Sequence, residues 1–219
     1  MSKQQDKTLL VPGARGWEIW KQSGTGGFIL QSADGPARAS ELGSLPSGHL
    51  AMLFPVRGMH ALPFKASSTD DWLFDDLAAM HAERLGVRVD PMAGQLTDTF
   101  VVSKDEETAT LMSVVLKSPA EGDLPPRSPQ EFDVSPRSYG VNGEAIAVWK
   151  EFDRWVFAFY RNGKLLYSQA TSSSSEEPDA SCLKEIQLAL GQMAIQGLAL
   201  KPEAVHVWSP SGTGGAGSL

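Results

Sequence analysis

The sequence predicts a mixed α+β/α/β chain of two lobes, with mixed sheets and few helices. Three observations carry that expectation. The stretch Glu144–Thr171 reads as three successive strands, Ala145–Trp149, Trp155–Arg161 and Lys164–Ala170, the last two joined by Asn162-Gly163. Asn-Gly accepts the positive φ angles of a two-residue type I′ hairpin turn. Helical spacing with start and stop signals occurs in just two segments. Between the halves, Ser118–Asn142 holds Pro119, Pro125, Pro126, Pro129 and Pro136, a density that excludes regular helix and marks a connector between lobes.

The first half opens with a strand at Thr8–Val11, a turn at Pro12–Gly16, and a hairpin or meander through Trp17–Lys21 and Phe28–Gln31. Gly24–Gly27 lacks the Lys and Ser/Thr of a phosphate loop and leads into a strand, so it reads as a glycine turn. After a loop at Ala33–Ser47, the apolar run Gly48–Val56 fits a strand buried on both faces, with Pro55 at its exit. Met59–Phe64 is the next strand. A helix follows: Ser67, Ser68 and Thr69 offer capping hydroxyls, and Asp70 and Asp71 suit the positive end of the dipole. Leu73, Leu77, Met80 and Leu85 form its apolar stripe and Gly86 its stop. Val87–Val89, Thr97–Ser103 and Ala109–Lys117 read as strands, with turns at Asp90-Pro91 and Lys104–Thr108. Within the Pro-rich connector, Glu131–Ser135 reads as a turn or short extended piece.

Past the three-stranded unit comes a polar loop, Thr171–Asp179. Asp179 or Ser181 caps a second helix whose stripe is Leu183, Ile186, Leu190 and Met193. Gly197 and Pro202 end it, Ala204–Trp208 is a closing strand, and Ser209–Leu219 is a flexible Gly/Ser-rich tail. The expected division is therefore a first lobe at 1–117, a connector at 118–142, a second lobe at 143–208 and the tail at 209–219.

Composition removes several functions. The net charge of −7 with no basic stripe argues against a nucleic-acid partner. The single Cys182 rules out an internal disulfide framework and suits a reducing compartment. No apolar segment follows the polar N-terminus as in a signal peptide, and none has the length of a membrane span. A soluble, cytoplasmic chain is expected.

The order of elements, with Phe54-Pro-Val-Arg57 and Leu62-Pro-Phe64 before the first helix, Phe132-Asp-Val-Ser-Pro-Arg137 before the second lobe, and the hairpin Arg161–Ser168, resembles the PilM and GspL group. These are the actin-like cytoplasmic components of type IV pilus and type II secretion assembly platforms. The resemblance spans most of residues 8–208. It implies a reduced actin-like (ribonuclease H-like) two-lobe fold whose second lobe is truncated. It also implies a place at the inner face of the inner membrane. The implied partners are the cytoplasmic segment of an inner-membrane platform protein and, second to it, the assembly motor ATPase.

Nucleotide-binding members of the wider fold place Asp-x-Gly turns between the early strands of each lobe, where glycine lets backbone amides approach phosphate. Here the first turn, Val11–Trp17, has no acid. The second, Trp149–Trp155, has Glu151 and Asp153 but no glycine. The carry-over of ATP-site residues fails at both turns. The sequence therefore predicts a non-catalytic interaction protein, without cofactor or metal, that docks a peptide or strand at a sheet edge or lobe cleft. The alternative is an actin-like ATPase with altered turns.

Other constellations read as structural. His49, His60, His81 and His206 lack metal-ligand spacing, and no Gly-x-Ser-x-Gly elbow is present. Cys182 begins a helix without a histidine partner in sequence. Glu151/Asp153 and Glu106/Glu107 read as solvated turn residues. The aromatics Trp149, Trp155, Phe157, Phe159, Tyr160 and Tyr167 exceed what one sheet face can bury. Either both faces are covered, or an apolar patch remains for a partner.

Overall fold

The structure, a computed structural model, describes residues 7–24, 27–33, 35–90, 92 and 95–208. The expected tail, Pro91 and the middle of the Gly24–Gly27 turn lie outside them. In chain order the elements are β1 (Lys7–Pro12), β2 (Trp17–Gln22), β3 (Phe28–Ser32), β4 (His49–Phe54), β5 (Met59–Ala66), α1 (Phe74–Arg84), β6 (Thr97–Lys104) and β7 (Ala109–Leu116). Then come β8 (Glu131–Val134), β9 (Ala145–Glu151), β10 (Arg154–Arg161), β11 (Lys164–Ala170), α2 (Ala180–Ile195) and β12 (Ala204–Val207).

Two sheets repeat one topology. The first runs β3-β2-β1-β4-β8 and the second β11-β10-β9-β12. In each, an antiparallel meander is joined by a fourth strand parallel to its first: β4 alongside β1, and β12 alongside β9. A third sheet, β5-β7-β6, is inserted between β4 and β8 and carries α1. The first sheet does not end at residue 117, because β8 comes from inside the Pro-rich stretch and pairs parallel to β4. In Glu131–Val134 the prolines flank the strand and none falls within it, so the ladder donors survive.

The second sheet holds the centre of the core. Trp149, Trp155, Phe157, Phe159 and Tyr160 are all buried, so the first of the two alternatives holds: both faces are covered. Cys182, Ile186, Ala189 and Met193 of α2 join this cluster, as do Met59, Met112, Val114 and Leu116 of the inserted sheet. The inserted sheet thus closes the second lobe as well as the first. All eight residues of β7, its central strand, are buried. The β10–β11 hairpin is as read: Asn162 and Gly163 both take positive φ, 52° and 74°.

Both helices form where expected, with different detail. α1 starts later than its capping hydroxyls suggest. Ser68 caps only the amide of Asp70, a short 3-10 turn covers Asp71–Leu73, and no side chain caps α1 itself. Its buried face is Phe74, Ala78 and Ala82, while Met80 and Leu85 are exposed. Phe74 and Ala78 meet Phe64 and Leu111 of the inserted sheet. α2 is capped by Asp179, which accepts from the Cys182 amide at 2.9 Å. Its buried stripe is Cys182, Ile186, Ala189 and Met193, one position off the expected one at two places.

Both helices end in the same double hydrogen bond. Gly86 and Gly197 sit at φ +75°. The Val87 and Leu198 amides reach back to Ala82 and Met193, and those of Gly86 and Gly197 to Glu83 and Ala194. This is the Schellman arrangement. It corrects the expected strand at Val87–Val89: the Val87 amide is spent on the helix terminus, and no strand forms there.

At the start of β2 the backbone is clamped, with Trp17 donating to Pro36 and Gly35 donating to Trp17, both at 3.1 Å. A Cβ on Gly16 would stand 1.8 Å from the Gly35 carbonyl oxygen, whereas one on Gly24 meets nothing within 4 Å. Gly16→Ala should therefore lower the urea midpoint by an amount worth about 1–3 kcal/mol, the range for forced overpacking. Gly24→Ala should leave it within about 0.5 kcal/mol, as for exposed sites. Equal effects would contradict the clamp.

Candidate functional site

The β1–β2 and β9–β10 turns are the first hairpin turns of the two repeated sheets. Here the two turns are in contact. The β9–β10 turn is a tight reversal in which Phe152 and Asp153 take φ of 47° and 63°. Neither is glycine, and a bulky residue in this region costs roughly 1–2 kcal/mol. Surrounding contacts hold it there. The Phe152 amide donates to Gly13 at 2.9 Å and the Asp153 amide to Ala14 at 2.6 Å. The Phe152 ring meets Trp17 edge-on at 5.3 Å, and the Arg57 guanidinium lies over the ring at 4.7 Å from its centre. The amides that a phosphate would need are thus donated to carbonyls of the first lobe.

Directly before this turn stands Glu151. Read in sequence as a solvated turn residue, it is 2% exposed. The correction has a clear geometric cause: β9 runs two residues longer than expected and carries Glu151 beneath the lobe contact. Its carboxylate accepts from the Val56 amide at 2.7 Å, from Trp149 Nε1 at 3.0 Å and from the Ser135 hydroxyl. Val56 follows β4 and Ser135 follows β8, so one side chain from the second sheet joins two strand ends of the first. Burial pushes the Glu151 carboxyl up to about 7, against the three hydrogen bonds and the nearby Arg57 charge.

The remaining sequence candidates are dispersed. Asp153 is part of the turn contact, and Glu106 and Glu107 are exposed in the β6–β7 turn, which Asp105 organises through Thr108 and Glu107. His49 meets Glu131 at 3.1 Å, His81 stacks on Phe64 at 4.8 Å, and His206 stacks on Trp208. His60 lies in β5. Cys182 is buried, and burial, with Asp179 and Glu185 nearby, raises its thiol to about 11, which keeps it protonated. Among the described residues no group of three or more His, Cys, Asp and Glu is arranged to hold a metal.

A groove runs between two sheet edges. β8 ends the first sheet and β6 ends the inserted one. Between them lies a cavity of about 310 Å³ lined by Leu96, Asp98, Leu116, Phe132, Val134 and Arg137. Leu96 and Phe132 are 46% and 39% exposed. A second cavity, about 390 Å³, continues along β6 past Phe100 and Val101 to Tyr139 and the β10–β11 turn. Arg137 stands where the two meet. It donates to Asp98 of β6 at 2.5 Å, approaches Asp133 of β8 to 3.3 Å, and lies over the Phe100 ring. The Phe132–Arg137 motif is visible in the sequence, but the groove that it borders is not. The alternation of Phe132 and Val134 with Glu131 and Asp133 is the strand signal that was there to find.

No family model and no curated protein matches the chain in sequence. Among solved structures, it is similar to a chain of a PilM-PilN type IV pilus biogenesis complex, at 13% identity and a TM-score of 0.60, over 92% of this chain and 80% of that one. It is also similar to the cytoplasmic domain of EpsL, an inner membrane component of the type II secretion system of Vibrio cholerae. That match has 10% identity and a TM-score of 0.49, over 98% and 90%. A Bacteroides thetaiotaomicron protein with an actin-like ATPase fold gives 9% identity and a TM-score of 0.48, over 96% and 84%. The chain shares the fold of the PilM-PilN chain, and its two repeated sheets give a two-lobe α+β architecture of mixed sheets with few helices.

Glu151 makes stability depend on pH in a definite direction. Its folded-state pKa of about 7 lies above the unfolded 4.5. Its contribution is therefore full below pH 4.5, is lost as pH rises to 7, and is constant above. At 1.4 kcal/mol per unit the loss is at most about 3 kcal/mol. The unfolding free energy of the wild type relative to Glu151→Gln, from urea titrations, should fall through this window by up to that amount. A difference independent of pH would contradict the assignment.

Proposed function

We propose that the chain is a non-catalytic docking protein of a type IV pilus or type II secretion assembly platform, acting at the cytoplasmic face of the inner membrane. The observation that carries this reading is the turn-to-turn contact. With the Phe152 and Asp153 amides bound to Gly13 and Ala14, and a carboxylate buried beneath them, the turn-to-turn contact offers phosphate no nest of free amides. Carboxylate next to triphosphate is repulsive unless a metal bridges them.

Docking falls to the groove. An extended segment laid along the free edge of β6 makes main-chain hydrogen bonds for affinity. Its alternate side chains enter the cavity at Leu96 and Phe132 for selectivity. Arg137 has to leave Asp98, and that ion pair is 36% and 57% exposed, so opening it costs less than about 1 kcal/mol. Asp98 and Asp133 then stand free, on a chain whose net charge is −7. A basic segment fits them. Cytoplasmic segments beside membrane spans are rich in Lys and Arg, which agrees with a partner anchored in the inner membrane. The similar solved chain comes from a complex named for PilM and PilN, which supports the same partner class. The assembly motor ATPase is the second partner in this proposal. No described helix is long and apolar enough to cross a membrane.

Calorimetry separates docking from the ATPase alternative. The probe is a synthetic peptide of the cytoplasmic segment of the inner-membrane pilus or secretion protein from the same genome. It should bind, and Leu96→Glu or Phe132→Glu should weaken it about tenfold or more, as for a central contact. Ile195→Glu, on the far-exposed end of α2, should not. Mg-ATP should give no heat of binding. Sub-millimolar Mg-ATP affinity, or peptide binding insensitive to both groove variants, would overturn the proposal.

A further inference from the structure

A cavity of about 340 Å³ opens in the first lobe beside the lobe contact, and neither the fold nor the docking groove accounts for it. Its walls include Trp17, Met52, Phe54 and Phe152; at its mouth stand Arg57, Lys117 and Asp123. Trp17, Met52 and Phe54 are buried, so the floor is apolar and aromatic. Both cations are exposed. Among the described residues neither lies within ion-pair distance of a carboxylate: Arg57 stacks on the Phe152 ring, and Lys117 donates to the Arg57 carbonyl at 2.7 Å. Asp123 is occupied in accepting from the Ala120 amide.

The positive field of this mouth is felt by its neighbours. Lys117 adds to burial in lowering the pKa of His60, and Arg57 favours the ionised form of Glu151. On a chain with a net charge of −7, two cations without carboxylate partners above an aromatic floor are a local reversal of sign. Counting Asp123, the mouth carries one net positive charge. That balance suits a monoanion better than a phosphate dianion. The cavity lies at the small end of ligand pockets, a fit for a single ring with one charged group.

We propose that this cavity binds a small aromatic carboxylate, its ring against Trp17 and Phe152 and its carboxylate between Arg57 and Lys117. The guanidinium and ammonium supply charge-assisted hydrogen bonds, and the rings supply an offset or edge contact.

The test follows the Trp17 indole N–H signal by NMR, assigned through Trp17→Phe. Phenylacetate is the probe, with 2-phenylethanol as the ring without charge and acetate as the charge without ring. Phenylacetate should move the signal with a Kd of about 1 mM, a normal affinity for so small a ligand. The two half-ligands should each bind at least about tenfold more weakly. Arg57→Ala with Lys117→Ala should cost phenylacetate about tenfold or more, and Asp123→Asn should tighten it. A signal that stays in place with phenylacetate would overturn the proposal. So would 2-phenylethanol binding as tightly, which would make the cavity merely apolar, or an affinity indifferent to both charge changes.

Discussion

Everything in this chain turns on where one carboxylate sits. Glu151 is buried beneath the meeting point of the two lobes, and a buried ionisable group is tolerated only when its lone pairs are met. The groups that meet them come from three places: the Val56 amide past β4, the Ser135 hydroxyl past β8, and the Trp149 indole on its own strand. Two of the three donors are fixed N–H groups. The serine hydroxyl can turn from donor to acceptor, so the site can hold either protonation state. That explains how a group with a pKa near neutrality is carried in the core without leaving an orphaned polar atom.

The turn that follows depends on this anchor. With Glu151 held, Phe152 and Asp153 must reverse the chain in two residues at positive φ. Their amides then point at the first lobe and close on Gly13 and Ala14. The protein's own backbone and an aromatic ring fill the space between the turns. The lobes are joined at this contact, and the grooves lie elsewhere, along the edge strands β6 and β8 and in the cation-rimmed cavity beside Trp17 and Phe152.

Much of the fold was legible in the sequence because its signals are local. Asn162-Gly163 fixes a hairpin by backbone preference, Asp179 caps α2, and Gly86 and Gly197 stop both helices. What was misread depends on tertiary neighbours. Which face of α1 is buried is set by where the inserted sheet lies, so Phe74, Ala78 and Ala82 face inward while Met80 and Leu85 stay exposed. Val87 loses its strand to a helix cap. The pairing of β8 with β4 links residues about eighty positions apart, and nothing local announces it. The same holds for the site. The absence of glycine at Trp149–Trp155 was readable, and it pointed away from phosphate. That Glu151 would be buried was not, since two of its three donors, Val56 and Ser135, come from other parts of the chain. Arg137 and Phe132 were visible as a motif, but the groove they border exists only once two sheet edges are set side by side.

The central claim is that the amides of Phe152 and Asp153 belong to the first lobe and are closed to phosphate. Hydrogen exchange at these two amides, followed by NMR with and without millimolar Mg-ATP, tests it most directly. The account predicts protection comparable to that of the β9 and β10 core amides, unchanged by nucleotide in rate or chemical shift. Exchange as fast as in an open loop, or a shift of either amide on adding Mg-ATP, would contradict it.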